Sequence, residues 1–152
     1  MLANAGWRWG PPQPPTGADD SYRIRVEGHL RSTFAIAGAG AVGVLARHAV
    51  QQLVPRTSGV PWGTLIVNVS GALAIGLVFT ILVRRYEVAL WIQEAVLVGF
   101  LGGYTTFSAL SLETYVMIEH RRFGVALAYV GGSVALGIVA VFVGIRLGRA
   151  IS

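Results

Sequence analysis

The sequence contains no cysteine, which excludes disulfides and thiol chemistry. It contains no lysine either. All 12 basic residues are arginine, a bias that reads as genomic composition rather than function. Charge of both signs is scarce: 12% of the 152 residues are Asp, Glu, Lys or Arg, while 54% are hydrophobic. Soluble domains carry roughly 25% charged residues, so the main solvent here is expected to be lipid. Residues 1–30 lack the basic n-region, apolar h-region and small-residue cleavage pattern of a secretory signal. No apolar stretch holds an acid–base pair, a His/Glu metal cluster or a nucleophile beside a base, which argues against an enzyme. His29, His48 and His120 are isolated, in the tail or at span ends. A net charge of +5 and a pI of about 10.4 raise nucleic-acid binding, but no basic face remains once the apolar runs are removed.

What is present is a set of long charge-free runs. Residues 61–83 and 123–145 each give 23 positions without Asp, Glu, Lys or Arg, and residues 95–112 give 18. A membrane-spanning helix needs about 20 predominantly apolar residues. A fourth run, 31–54, has a shorter uncharged part, Ser32 to Ala46, and its Arg47 can snorkel to the interface. The expectation is an all-α membrane protein with four transmembrane helices at about 31–54, 61–83, 90–117 and 123–146. Residues 1–30, with Gly10-Pro11-Pro12-Gln13-Pro14-Pro15, are expected to be a disordered tail, because proline fixes φ and lacks a donor.

The links are short: Pro55 to Pro61, the segment with Arg84, Arg85 and Glu87, and Glu119 to Arg122. Neighbouring helices are therefore expected to be antiparallel. Trp62 and Trp91 open spans, where interfacial aromatics are favoured. Arginines near the spans are divided almost evenly between the two sides, so the positive-inside rule specifies orientation weakly. Two stripes of small residues, Gly124/Ala128/Gly132 and Ala140/Gly144/Gly148, permit close helix packing, either within the chain or at a dimer face.

The third span carries Gly99-Phe100-Leu101-Gly102-Gly103-Tyr104-Thr105-Thr106-Phe107-Ser108. Two glycines followed by two β-branched residues are poor material for an uninterrupted helix. A break at membrane depth frees carbonyls that can ligate a cation; the alternative is a continuous helix whose glycines serve packing. Asn68, central in the second span, is either interhelical glue or a donor suited to an anion. Tyr129 and Ser133 share one face of the fourth span and either hydrogen-bond locally or line a path. Glu94 and Glu113 lie near the ends of the third span, and Glu113 is placed to line a vestibule.

Together these segments resemble the Fluc/CrcB family of fluoride channels. Gly63 to Gly76 (GTLIVNVSGALAIG) is similar to its second-helix pattern GT-x-x-VN-x-x-G. Gly99 to Glu113 (GFLGGYTTFSALSLE) is similar to its third-helix pattern GF-x-GG-x-TTFSTF-x-x-E. Gly43 to Arg47 (GVLAR) fits the end of its first helix, and Tyr129 and Ser133 fit its fourth. The resemblance covers about residues 33–148. It implies a fluoride-selective channel in the bacterial plasma membrane, exporting fluoride passively through an antiparallel, dual-topology dimer with two pores. It also implies a structural sodium ion at the dimer centre, held by the carbonyls of Gly102 and Thr105. The fluoride pathway it implies comprises Asn68, Phe107, Ser108, Leu110, Tyr129 and Ser133, with Arg47 and Glu113 near the vestibule. Phe107 would offer the positive edge of its ring.

The motif departs at Ala109 and Leu110, where the family has threonine and phenylalanine. A homodimer of this chain would lack one ring in each pore, so either such a pore conducts or the chain pairs with a paralogous, complementary subunit. A non-conducting assembly subunit is a further alternative. A small multidrug exporter of similar size is disfavoured, because Ser32 to Ala46 lacks the buried carboxylate such exporters resemble one another in carrying.

Overall fold

A computed structural model describes residues 20–54, 59–86 and 88–151. Among them there is no β-strand, and four helices are long and apolar enough to cross a membrane: Val26–Leu53, Trp62–Arg84, Leu90–Glu119 and Phe123–Ile151. The first helix begins earlier than expected, at Asp20, and so takes in residues 20–30, which the sequence had suggested were tail. The proline cluster ends at Pro15, and no proline within Asp20–Leu53 removes a backbone donor. The proline-rich segment itself lies outside the described residues, as do Arg56 and Glu87.

The second span is α-helical over Trp62–Phe79 and π-helical over Thr80–Arg85. The third is composite. It runs α-helical over Leu90–Gln93, π-helical over Glu94–Leu101 and α-helical over Gly102–Tyr104. Thr105 and Thr106 are extended (φ −79°, ψ 157° and φ −150°, ψ 115°), and helix resumes over Phe107–Glu119. The fourth runs unbroken over Phe123–Ile151.

With links this short, consecutive spans must run antiparallel. The first helix packs chiefly on the third and the second on the fourth, so the tightest pairs are parallel ones. Each depends on glycine. A Cβ on Gly43 would collide with the Phe100 carbonyl, and one on Gly144 with the Leu73 carbonyl. The two small-residue stripes therefore differ. Ala140, Gly144 and Gly148 are buried inside the chain. Gly124 and Gly132 have nothing within 4 Å of a would-be Cβ, and Ala128 beside them is exposed.

The core is thin, formed mainly by Val67, Leu101, Leu110, Met117, Ala126, Tyr129 and Ala140. Large apolar side chains such as Phe34, Leu45, Leu127, Ile138 and Phe142 face outward, the pattern expected where lipid is the solvent. Guanidinium groups stack on aromatic rings at the span ends: Arg31 on Trp91 at 5.8 Å, Arg84 on Phe79 at 5.8 Å and Arg146 on Phe142 at 4.9 Å.

Candidate functional site

The interruption at Thr105–Thr106 is held by side chains from two other spans. Asn68 clamps the Thr106 peptide from both sides. Its Nδ2 donates to the Thr106 carbonyl at 3.0 Å, and its Oδ1 accepts from the Thr106 amide at 2.8 Å. Arg47 Nη1 donates to the Thr105 carbonyl at 3.2 Å. The Thr105 amide and hydroxyl both donate to the Leu101 carbonyl. Thr106 then caps the next helix, its Oγ1 accepting from the Ala109 amide at 3.2 Å. Backbone groups freed inside a membrane must be satisfied by protein or water, and these residues do so. Because the Thr106 amide turns to Asn68, it does not return to the Gly102 carbonyl, its partner in an unbroken helix. Gly102 is exposed.

One turn toward the link end lies a second polar cluster. Glu113 accepts from the Thr64 hydroxyl at 2.9 Å and, on its other oxygen, from the Tyr129 hydroxyl at 2.7 Å. Gln51 Nε2 donates to the Thr64 hydroxyl at 3.1 Å. Three spans thus meet a carboxylate from a fourth, and both its oxygens have donors. A carboxylate in this setting needs such charge-assisted bonds to offset desolvation. A cavity of about 590 Å³ opens beside it, lined by His48, Gln51, Gln52, Thr64, Ala109 and Glu113 among others.

The residues singled out from sequence fall into distinct settings. Asn68, Arg47 and Thr105 come together at the interruption. Glu113 and Tyr129 come together at the carboxylate, where Tyr129 spends its hydrogen on Glu113. The Ser133 hydroxyl is buried and donates to the Tyr129 carbonyl one turn back, at 2.7 Å. Ser108 is exposed and pairs with Thr106 Oγ1 at 3.3 Å. Phe107 is 78% exposed, whereas Leu110 is 5% exposed. Leu110 sits in a core cluster with Met117, Ala126 and Tyr129, not on the surface that Phe107 shares.

Thr64 and Gln51 were not anticipated. The signal for Thr64 was its place four residues before Asn68, on the same helical face. Gln51 carried no comparable signal, since it acts through a partner distant in sequence.

A sequence match to the family described as CrcB-like protein, Camphor Resistance (CrcB), spans residues 34–145. The chain belongs to the CrcB family. Relatives agree. The fluoride-specific ion channel FluC of Solibacter usitatus is 45% identical over 116 residues, 75% of this chain and 95% of that protein. The fluoride-specific ion channel FluC of Chelativorans sp. is 46% identical over 114 residues, 74% of this chain and 91% of that protein. The fluoride-specific ion channel FluC 2 of Nitrobacter hamburgensis is 42% identical over 112 residues, 72% of this chain and 90% of that protein. These relatives are channels, not enzymes. With four long apolar helices, this family member is a multi-pass membrane protein. The family match begins at residue 34, so the first fourteen residues of the first helix, from Asp20, precede it.

Proposed function

We propose that the chain is the subunit of a fluoride-selective ion channel that lets fluoride leave the cell passively across the cell membrane. The observation that carries this is the identity of 42–46% over at least nine-tenths of relatives named as fluoride-specific channels. The chemistry is compatible. Fluoride holds its water strongly, so a path must replace that water with several donors while leaving the ion free to depart. Neutral hydroxyls and amides meet both needs. The second Nδ2 hydrogen of Asn68 is the donor with capacity to spare, since the other is engaged at Thr106, and the exposed Ser108 hydroxyl joins it when Thr106 Oγ1 is the donor of the bond they share.

The working unit of this proposal is an antiparallel, dual-topology dimer. Phe107, an aromatic exposed at the start of a helix, is then available to a partner, and its ring edge is the electropositive part. The break in the third span also suits a structural sodium ion at the dimer centre. Sodium is a hard cation that favours neutral oxygens, and the Gly102 carbonyl has lost its helical donor. The Thr105 carbonyl is the second oxygen, shared with Arg47. Such an ion would supply fixed positive charge between the protomers.

Fluoride efflux from liposomes containing only this purified chain tests the function, with a fluoride electrode as readout and chloride as control. Rapid, fluoride-selective release is expected. Release of both halides alike would remove the selectivity, and efflux no faster than from empty liposomes would remove the homodimer. The second reading, a heterodimer with a complementary subunit, is favoured by Leu110, which offers no ring edge and is buried within its own chain. Conduction appearing only on co-reconstitution would establish it.

A further inference from the structure

At the bundle end opposite the Glu113 cluster, the first and third spans enclose a cavity of about 510 Å³. One wall is the first helix between Gly28 and Ile36, and the other is Leu90, Trp91 and Glu94. Most of the first-helix wall, from Gly28 to Thr33, precedes residue 34, where the family match begins. The two helices are parallel, and their register is fixed by close contact: a Cβ on Gly99 would collide with the Ile36 carbonyl. Stepping back from 99 to 94 in one helix and from 36 to 31 in the other brings Glu94 level with Arg31. Trp91 stands at the start of its span, where interfacial aromatics sit, so the cavity lies at headgroup depth.

The lining holds one arginine and one carboxylate, and the two are not paired with each other. The Arg31 guanidinium stacks on the Trp91 ring instead, 5.8 Å from its centre. Stacking uses the face of the guanidinium and leaves the N–H groups along its edge free to meet a phosphate in bidentate fashion. Glu94 is half-buried, and among the described residues no donor reaches it. A carboxylate at the edge of a membrane calls for a positive partner with hydrogens to give. Of the two hydroxyls in the wall, Thr33 donates to the His29 carbonyl at 2.8 Å, which leaves Ser32 as the uncommitted one.

We propose that this cavity binds the headgroup of a membrane phospholipid that carries both a phosphate and a primary ammonium, the phosphoethanolamine group. Arg31 and Ser32 take the phosphate, and Glu94 takes the ammonium. A purely anionic headgroup would satisfy Arg31 but leave Glu94 without a partner. A primary ammonium suits the site better than a quaternary one for two reasons. It has N–H donors for the carboxylate, as a lysine ammonium does. The face of Trp91, which would attract a quaternary ammonium, is already covered by Arg31. Leu90 and Ile36, in the same lining, offer apolar surface to the acyl chains. The site goes beyond the channel reading and does not depend on which ion the chain conducts.

Native mass spectrometry of the full purified chain, with dioleoyl lipids that differ only in headgroup, tests the site. At equal lipid concentrations, occupancy by phosphatidylethanolamine should exceed that by phosphatidylglycerol and by phosphatidylcholine about three- to tenfold. That ranking needs no variant, and its absence would overturn the proposal. Glu94→Gln should bring phosphatidylethanolamine down to the phosphatidylglycerol level while leaving phosphatidylglycerol no weaker. Arg31→Gln should weaken both lipids. The melting temperature in detergent reports whether each variant is folded. A preference for phosphatidylethanolamine that survives Glu94→Gln in folded protein would place the ammonium elsewhere and overturn the proposal equally. Soluble O-phosphoethanolamine at the same concentration should displace little of the lipid, because it lacks the acyl contacts. Ready displacement would overturn the lipid assignment in favour of a free amino-phosphate.

Discussion

At the scale of single residues, the structure redistributes the work of Asn68. Its position at the centre of a charge-free run marks it as a polar group that must be satisfied, which is legible without coordinates. Its partner is not legible, because Thr106 lies 38 residues away and no local spacing links the two. Asn68→Leu should therefore do more than remove an anion donor. It leaves the Thr106 amide and carbonyl unsatisfied, and two such bonds inside a membrane protein contribute about 1–2 kcal/mol together. We expect both a lower melting temperature in detergent and a loss of fluoride flux; a variant as stable as the wild type would show that Asn68 does not hold the interruption. Leu110 is the converse case. Its motif position suggested the pore, and its burial with Met117 and Tyr129 puts it in the core. Leu110→Phe adds volume to a closed site, so a stability loss of about 1–3 kcal/mol is expected. Undiminished stability on thermal unfolding, with higher flux, would mean that the ring swings out toward the path.

At the scale of elements, the composition of the third span indicated a helix in difficulty, and the extended backbones fall at its two threonines. β-Branched residues favour such conformations, and Asn68 and Arg47 supply the bonds that the helix forgoes. The π-helical stretches over Thr80–Arg85 and Glu94–Leu101 had no counterpart in the apolar pattern, which has the same look at either helical pitch over so few turns. The end of the third span was legible from its charges, but the turn chemistry was not. A left-handed residue after a helix is usually glycine, and here it is Arg121 at φ 58°. An L-residue in that conformation costs about 1–2 kcal/mol. Arg121→Gly should relieve part of this, raising thermal stability by about 1 kcal/mol, with the turn kept in place by the unchanged hydrogen bonds from the residue 121 amide to the Ile118 carbonyl and from the Arg122 amide to the Met117 carbonyl. A lower melting temperature would indicate that the Arg121 side chain contributes more than its backbone strain removes.

At the scale of the whole molecule, the four spans, their approximate limits and the short links were all readable from charge-free length, because lipid imposes that length directly. Pairing was not readable: the first span with the third and the second with the fourth is a choice among faces that are apolar all round. Spacing alone made the two glycine stripes of the fourth helix look equivalent, yet one is consumed in holding the second helix and the other is open. That difference separates folding from assembly. Gly144→Val drives a side chain into the Leu73 carbonyl and should prevent stable folding of the chain itself. Gly132→Val meets nothing within 4 Å in its own chain, on the rim of an apolar cavity of about 250 Å³ that also includes Ala128, Tyr129 and Ser133. If that open face receives the partner protomer, Gly132→Val should leave helix content and monomer stability near wild type while weakening dimerisation at least tenfold in a subunit-capture measurement in liposomes. Dimerisation unchanged by Gly132→Val would assign the open stripe to lipid and move the interface to the surface around Phe107.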